Sequence, residues 1–169
     1  MNKLSGKHIG VLCGGWSDER PVSLDSGKSA YNSLISSGLN TFLFDFQDND
    51  IGMLSNFIES NNIDLVLNLI HGSGGEDGLV QGYLDKLSVK YIGSDSESSK
   101  LSFNKVHTKE VWLKNNLKTP NYLRLSNNIS SKKIEEIFDD KFILKPCESG
   151  SSVGIKIFNT IDFYSSNSE

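Results

Sequence analysis

The 169 residues carry 17 basic and 21 acidic side chains, for a formal net charge of −4. A hydrophobic share of 37% together with 15 glycines is enough for a globular fold and argues against disorder throughout. The mixed, mildly acidic charge provides no broad positive field, so nucleic acid is set aside as a partner, and no apolar run approaches membrane-spanning length.

The first elements predicted along the chain are a strand and a helix. Residues 8–13, with the sequence HIGVLC, form a short apolar run that ends at two glycines, which is typical of a buried parallel strand. Apolar residues then recur at helical spacing over residues 21–37, with Pro21 at the start and Gly38 just past the end. Proline near the beginning and glycine after the end favour a helix here.

Two more strands and a second helix continue this alternation. Residues 41–46 and 63–70 are rich in β-branched, aromatic and aliphatic side chains, which favour strands. Between them Ile51, Leu54 and Ile58 indicate an amphipathic helix. Strands that alternate with helices predict the α/β class, with an open parallel sheet covered by helices on both faces.

The sheet domain is predicted to close with one more helix and strand. The loop HGSGGEDG at residues 71–78 leads into a helix over residues 79–87, and a short strand, VKYIG, ends at Gly93. A small polar stretch, SDSESSK, follows this strand. We therefore predict a domain boundary there, with one domain at residues 1–93 and a second at residues 94–169.

The second domain is predicted to be α+β and incomplete. A helix is expected over residues 101–115, and short strands over residues 122–125, 141–145 and 153–158 have an antiparallel character. Another helix, marked by apolar residues around Ile134, separates the first two of these strands. Thr160 suits the start of a further helix, yet the nine residues after it are too few to complete a packed layer.

Three glycine-rich segments carry the residues suited to chemistry, at residues 14–27, 71–78 and 148–154. The first two follow strands of the parallel sheet, so they are expected to line one crevice at the carboxyl ends of the strands. Glycine permits close approach, and helix N-termini offer N–H groups to a carboxylate or phosphate. Taken singly, each segment is equally well a structural turn. None matches a dinucleotide fingerprint or a P-loop.

The two cysteines and the N-terminus indicate the cellular context. Cys13 and Cys147 are far apart and fit no metal-binding spacing, so reduced thiols are expected and a structural zinc is not. The first eight residues are polar and lack the apolar core of a signal peptide. A cytoplasmic protein is predicted.

In this order, GG-x-S-x-ER-x-VS-x-x-SG, HG-x-x-GEDG and KP-x-x-x-GSSVG resemble the D-alanine–D-alanine ligase family of the ATP-grasp enzymes, from about His8 to about Phe158. The resemblance implies an N-terminal pre-ATP-grasp, Rossmann-like domain followed by part of an ATP-grasp domain. It also implies a reaction: ATP phosphorylates one D-alanine, and the amine of a second attacks the acylphosphate to give the dipeptide used for peptidoglycan.

By the same resemblance, four residues would form the substrate pocket. Glu19 would bind the ammonium of the first D-alanine and hydrogen-bond toward Ser151, His71 would lie near the substrate carboxylate, and Ser23 would be a further substrate contact. An acidic residue suits this role because a desolvated ammonium needs a neutralising partner. The alternative is that the charges of Glu19 and Arg20 belong to an exposed loop, and that His71 is structural.

The resemblance also implies where ATP binds. Lys105 and Lys145 correspond to phosphate-contacting lysines, and Ser152 belongs to a loop that would close over the phosphates. A lysine ammonium is a compact charge suited to phosphate oxygens, although either lysine read alone is an ordinary surface residue. The stronger assignment is Lys145, because Pro146 and the GSSVG loop follow it as in the family.

What the chain lacks relative to the family leads to a second hypothesis. Family members are nearly twice as long, and the Mg²⁺ ligands and the arginine that stabilises the transferred phosphoryl group are expected in the part not present here. Without them the chain is predicted to be inactive. The resemblance also implies a homodimer formed through the N-terminal domain. The alternative function is a non-catalytic module that binds a small molecule or a partner.

Overall fold

The computed structural model describes residues 4–125, 131–150 and 152–160. The chain divides into two compact units, Met1–Phe103 and Asn104–Glu169. The helices and strands of the first unit are β1 His8–Gly14, α1 Arg20–Ser36, β2 Asn40–Phe46, α2 Ile51–Ser60, β3 Leu65–Asn68, α3 Leu79–Lys86, β4 Lys90–Ile92 and α4 Ser96–Phe103. Those of the second unit are α5 Lys105–Lys114, α6 Ser131–Glu135, β5 Lys141–Leu144 and β6 Lys156–Asn159. Over the described ranges, every helix is too short or too polar to cross a membrane.

The first unit is built on one parallel sheet with the strand order β2-β1-β3-β4. This confirms the predicted open parallel sheet and its α/β class. The chain leaves β1 toward β2 on one side and later returns to place β3 on the other side, so the strand order reverses at β1. In open α/β sheets such a reversal opens a crevice at the carboxyl ends of the strands.

Helices cover both faces of this sheet, as predicted. On one face Leu12 of β1 and Val66 of β3 are fully buried in a core with Leu54 of α2 and Leu84 of α3. On the other face Cys13 lies so close to α1 that a methyl group on Gly27 would be 2.4 Å from its Cβ. Successive residues of a strand point to opposite faces, so α1 and the pair α2 and α3 lie on opposite sides.

The second unit contains a small antiparallel sheet of β5 and β6, which confirms the predicted antiparallel character of this region. Its buried apolar side chains within the described residues are Ile134 of α6 and Phe142 of β5. The ring of Phe142 stacks on Phe158 of β6, with 5.7 Å between the centroids. The ring of Phe138, just after α6, also lies 5.6 Å from that of Phe142, so aromatic packing links the end of this helix to the sheet.

The single helix predicted over residues 101–115 is wrong, because the structure has two helices in this region. The first, α4, begins inside the polar stretch, where the carboxylate of Asp95 accepts the N–H of Ser98 at 2.7 Å. The second, α5, starts afresh at Asn104, whose side chain accepts the N–H groups of Val106 and His107. Both capping residues favour helix starts and override the continuous apolar pattern.

The strand predicted over residues 122–125 is also wrong, because this segment has no strand conformation. The Nζ of Lys109 on α5 donates to Thr119 Oγ1 at 2.6 Å and lies 5.2 Å from the ring centroid of Tyr122. These contacts hold the segment against a helix, whereas a strand needs a neighbouring strand to pair with.

The first compact unit extends through Phe103, because α4 packs against α3. The domain boundary predicted at Gly93 therefore lies within this unit, and as a boundary between family domains it stays a prediction. The helix that Thr160 was expected to begin lies outside the described residues. Thr160 itself is buried and donates its N–H to the carbonyl of Asp140 at 2.9 Å.

Candidate functional site

The first two glycine-rich loops lie at the same end of the parallel sheet, as predicted. Leu12 of β1 is in register with Asn68 of β3, so the residues after each strand leave the sheet side by side. The loop at residues 15–19 follows β1, and the loop at residues 69–78 follows β3. Both therefore border the crevice created where the strand order reverses at β1.

Ser23 on the first turn of α1 joins these two strand ends. Its hydroxyl is fully buried, accepts the N–H of Gly14 at 2.8 Å and donates to the carbonyl of Leu69 at 2.7 Å. A buried N–H or carbonyl without a partner is costly, so this one hydroxyl satisfies two backbone groups at once. The structure gives Ser23 a supporting role in the crevice, and direct contact with a substrate stays a prediction.

Ser17 and Glu19 of the first loop lie against Gly72 of the second. The hydroxyl of Ser17 donates to the carbonyl of His71 at 2.8 Å and accepts the N–H of Glu19 at 3.2 Å. A methyl group on Gly72, which has a φ of 70°, would be 2.7 Å from Ser17 Oγ and 3.0 Å from Glu19 Oε1. Glu19 is only 5% exposed. Its carboxyl is therefore held beside the second loop and is not part of an exposed loop.

Arg20 forms a bidentate ion pair with Asp45 at the end of β2. Its two terminal nitrogens donate to the two carboxylate oxygens at 2.8 and 2.7 Å, and Nη1 also donates to the carbonyl of Gly15 at 3.1 Å. The Arg20 guanidinium holds the pKa of Asp45 below its usual range, and Asp45 raises the pKa of Arg20. This pair ties the start of α1 to β2 directly beside Glu19.

The second loop is stabilised by polar side chains of its own and of the strand and helix that flank it. The carboxylate of Asp77 accepts the N–H of Gly74 at 2.8 Å and that of Leu79, at the start of α3, at 3.0 Å. The side-chain amides of Asn68 and Gln81 both donate to the carbonyl of Gly75 at 2.8 Å. With this many bonds for a short segment, the loop has a defined shape before any ligand arrives.

His71 is half-buried at the beginning of this loop. Its Nε2 lies 3.5 Å from the hydroxyl of Ser26 on α1, at the outer limit of a hydrogen bond. Its backbone carbonyl accepts the bond from Ser17 described above. The structure thus places the His71 ring over the first turns of α1, on the same edge of the sheet as Glu19. Its predicted contact with a substrate carboxylate stays a prediction.

The residues that the sequence predicts to bind ATP lie in the second unit. The Nζ of Lys105 donates to the carbonyl of Ser149, and the N–H of Lys105 donates to the carbonyl of Cys147 at 3.0 Å. Lys145, directly after β5, and Ser152, which has a φ of 63°, are both exposed. Lys105 therefore lies beside the loop that contains Ser152. Ser151 lies outside the described residues.

The described residues bear on two further kinds of site: a metal cluster and the thiol of the buried Cys13. No group of three or more His, Cys, Asp or Glu side chains there could hold a metal ion. Both cysteines are free, and burial raises the pKa of the Cys13 thiol. A buried thiol with a raised pKa is a poor nucleophile.

Sequence reasoning did not identify three residues that build the crevice: Trp16, Ser17 and Asp45. Ser17 had a signal, since it stands in the same short motif as Glu19. Asp45 had none, because only the parallel pairing of β1 with β2 places it opposite Cys13 and within reach of Arg20. Trp16 lies against Gly74 of the second loop, which the sequence does not indicate.

Comparison with known proteins agrees with these features. The family model described as D-ala D-ala ligase N-terminus matches residues 45–94. The D-alanine–D-alanine ligase of Bordetella pertussis is 39% identical over 155 residues, which cover 92% of this chain and 48% of that protein. The chain therefore spans about half the length of the curated relatives it matches.

Solved structures resemble the chain in the same way. The crystal structure of D-alanine–D-alanine ligase from Bacillus anthracis matches with a TM-score of 0.73 and 29% identity, covering 91% of this chain and 50% of that one. The structure of the Bacillus anthracis ligase complexed with ATP matches with a TM-score of 0.72 and 28% identity, covering 90% and 48%. By sequence and by fold, the chain is a member of the D-alanine–D-alanine ligase family and corresponds to the N-terminal portion of these proteins.

Proposed function

We propose that this chain provides the D-alanine-recognition part of an ATP-dependent D-alanine–D-alanine ligase. The observation that carries the proposal is the placement of Glu19. Its side chain is 5% exposed and lies against Gly72, at the carboxyl end of the sheet where α/β proteins bind their ligands. A buried carboxyl beside two glycine-rich turns suits a small ligand that carries an ammonium group.

The chemistry of D-alanine fits this environment. Its ammonium needs a negative partner when it leaves water, and Glu19 supplies one. We propose that His71, at the start of the second loop, contacts the ligand carboxylate. Because Ser23 and Ser17 already join the two loops, the pocket needs little reorganisation when a ligand binds, which lowers the entropic cost of binding.

We further propose that Lys105, Lys145 and Ser152 contact the phosphates of ATP, as part of an ATP-grasp domain. The ATP-bound ligase of Bacillus anthracis, whose fold matches this chain, supports nucleotide binding. In the proposed reaction an oxygen of the D-alanine carboxylate attacks the γ-phosphorus of ATP and ADP leaves. The amine of a second D-alanine then displaces phosphate from the acylphosphate, forming the peptide bond used in peptidoglycan.

Magnesium would neutralise the phosphates in this reaction, but the described residues do not fit a metal site. We propose that the metal ligands belong to the portion of the ligases that this chain does not span. We also propose a cytoplasmic location, which the free cysteines support, and self-association through the first unit.

The first test measures binding of D-alanine to the 169-residue chain by calorimetry, with L-alanine as the stereochemical control. Glu19→Gln should weaken binding by tenfold or more, a loss of about 1.4 kcal/mol. Glu59→Gln on α2 is the matched control, because Glu59 is exposed and interacts with Ser55 of its own helix. Equal affinities of the wild type and E19Q would overturn the assignment of Glu19.

The second test incubates the chain with ATP, Mg²⁺ and D-alanine and measures the dipeptide. We expect no dipeptide, because phosphoryl transfer also needs a metal ion at the phosphates, and the described residues offer no metal site. Dipeptide formation above the level without enzyme would contradict this expectation. Binding of D-alanine without binding of ATP would favour a non-catalytic binding module.

A further inference from the structure

Trp16 connects the two loops of the crevice and has no role in the function proposed so far. Its indole packs edge-on against Phe46, the fully buried last residue of β2, with 5.8 Å between ring centroids. The six-membered part of the indole lies on Gly74, where an added methyl group would be 2.3 Å from Cζ2. Trp16 therefore spans from the end of the sheet to the middle of the second loop.

Gly74 has no room for another residue while Trp16 is in place. Its φ of 93° already favours glycine. The indole of Trp16 also occupies the space that a side chain at this position would need. The N–H of Gly74 donates to Asp77, and its carbonyl accepts the N–H of Val80 on α3 at 3.1 Å. The N–H and the carbonyl of Gly74 are therefore both hydrogen-bonded within the loop and to α3. If the indole moves, Gly74 and the loop around it must move as well.

The loop segment that Trp16 covers is the one against which Glu19 lies. The carbonyl of Gly72 accepts the N–H groups of Gly75 and Glu76 at 3.2 and 3.0 Å, so residues 72–76 form one turn. Trp16 touches this turn at Gly74, and Glu19 touches it at Gly72. Trp16 and Glu19 both belong to the first loop. The indole of one and the carboxyl of the other therefore contact the same 72–76 turn.

We propose that Trp16 is a positioning residue of the D-alanine pocket, which fixes the 72–76 turn and thereby the wall that faces Glu19. The inference rests on the function proposed above. The indole acts through packing area and shape, because it reaches Phe46 and Gly74 at once. Phenylalanine at this position keeps an aromatic ring but reaches less far, and leucine keeps only apolar bulk.

The first experiment is independent of any ligand and measures amide hydrogen exchange in the 169-residue chain. The reporters are the N–H groups of Glu76 and Val80, whose acceptors are Gly72 and Gly74. Trp16→Ala should speed their exchange by about tenfold, which equals about 1.4 kcal/mol of local opening free energy. Trp16→Phe should restore most of the protection. Unchanged exchange in W16A would overturn the inference, whether or not D-alanine binds.

The second experiment measures D-alanine affinity for the same proteins. The control is Trp112→Phe, because Trp112 on α5 is the other of the two tryptophans, and W112F leaves the emission of Trp16 as the only indole signal. We expect W112F to bind as the wild type does, with a change in Trp16 emission, and W16A to bind about tenfold more weakly.

The possible outcomes separate the two proposals. If the wild type does not bind D-alanine while W16A exchanges faster, the proposed function fails and the role of Trp16 in the turn stands. If the wild type and W16A bind equally, the positioning role is overturned and the proposed function stands. If W16A proves unfolded in a thermal melt, Trp16→Leu replaces it, and wild-type affinity with wild-type exchange in W16L would equally overturn the inference.

Discussion

The crevice of the first unit and the glycine-rich loop of the second unit differ in how far their polar groups are already engaged. In the first unit Ser23 and Glu19 are buried, and Arg20 is paired with Asp45. In the second unit Lys145 and Ser152 are exposed, next to a two-stranded sheet. This difference agrees with the proposed function, because the pocket for a small amino acid gains from being preformed, whereas the charge of a triphosphate attracts exposed lysines.

The strongest test of this difference is Ser23→Ala, for which we expect the largest effect. The substitution leaves the N–H of Gly14 and the carbonyl of Leu69 without their buried partner, which should lower the free energy of unfolding by about 1–3 kcal/mol. Chemical denaturation followed by circular dichroism measures the loss. Ser33→Ala, an exposed position on the same helix, should change stability by less than about 0.5 kcal/mol. Equal effects of the two variants would show that the crevice is not preformed by Ser23.

A smaller effect is expected for the ion pair. Arg20 lowers the pKa of Asp45 in the folded protein, so the pair stabilises above the unfolded value of about 4 and its contribution disappears as the pH falls through the folded value. Because both side chains are about one-third exposed, Asp45→Asn should cost only about 1 kcal/mol at pH 7. Unfolding midpoints measured from pH 7 down to pH 3 should converge for wild type and D45N. Curves that stay parallel to pH 3 would contradict the assignment.

The smallest effect on stability is expected in the second unit. Lys145→Ala should change the free energy of unfolding by less than about 0.5 kcal/mol, because the side chain is exposed. Lys105→Ala should cost more, since its Nζ donates to the carbonyl of Ser149. Both variants should weaken ATP binding, measured by titration with the nucleotide. A loss of stability in K145A as large as that in S23A would remove the contrast between the two units.

Local sequence patterns predicted the parallel sheet and its helices because hydrophobic periodicity follows burial directly. The same patterns misjudged the region around residues 94–125. There the side chains of Asp95 and Asn104 start two helices, and contacts of Lys109 hold a run that otherwise has the composition of a strand. Capping and tertiary contacts depend on single polar atoms, so apolar periodicity does not report them.

The candidate site shows the same division. The resemblance carried by the glycine-rich motifs predicted Glu19, Ser23 and His71 as site residues, and glycine itself indicated where backbones approach closely. Trp16 and Asp45 could not be predicted as site residues, because the residues they contact are distant in sequence. Asp45 meets Arg20 only after β2 has paired with β1, and Trp16 meets Gly74 only after β3 has brought the second loop to the same edge.

The sequence by itself determined the class of fold, the membership in a ligase family and the two loops that approach each other. The tertiary structure alone decided which polar groups hold those loops in place. Ser23 spans two strand ends, and Arg20 spans a helix and a strand, and these bonds exist only once the elements are assembled. Patterns along a chain report which faces are buried, whereas the geometry of a pocket depends on which atoms meet across elements.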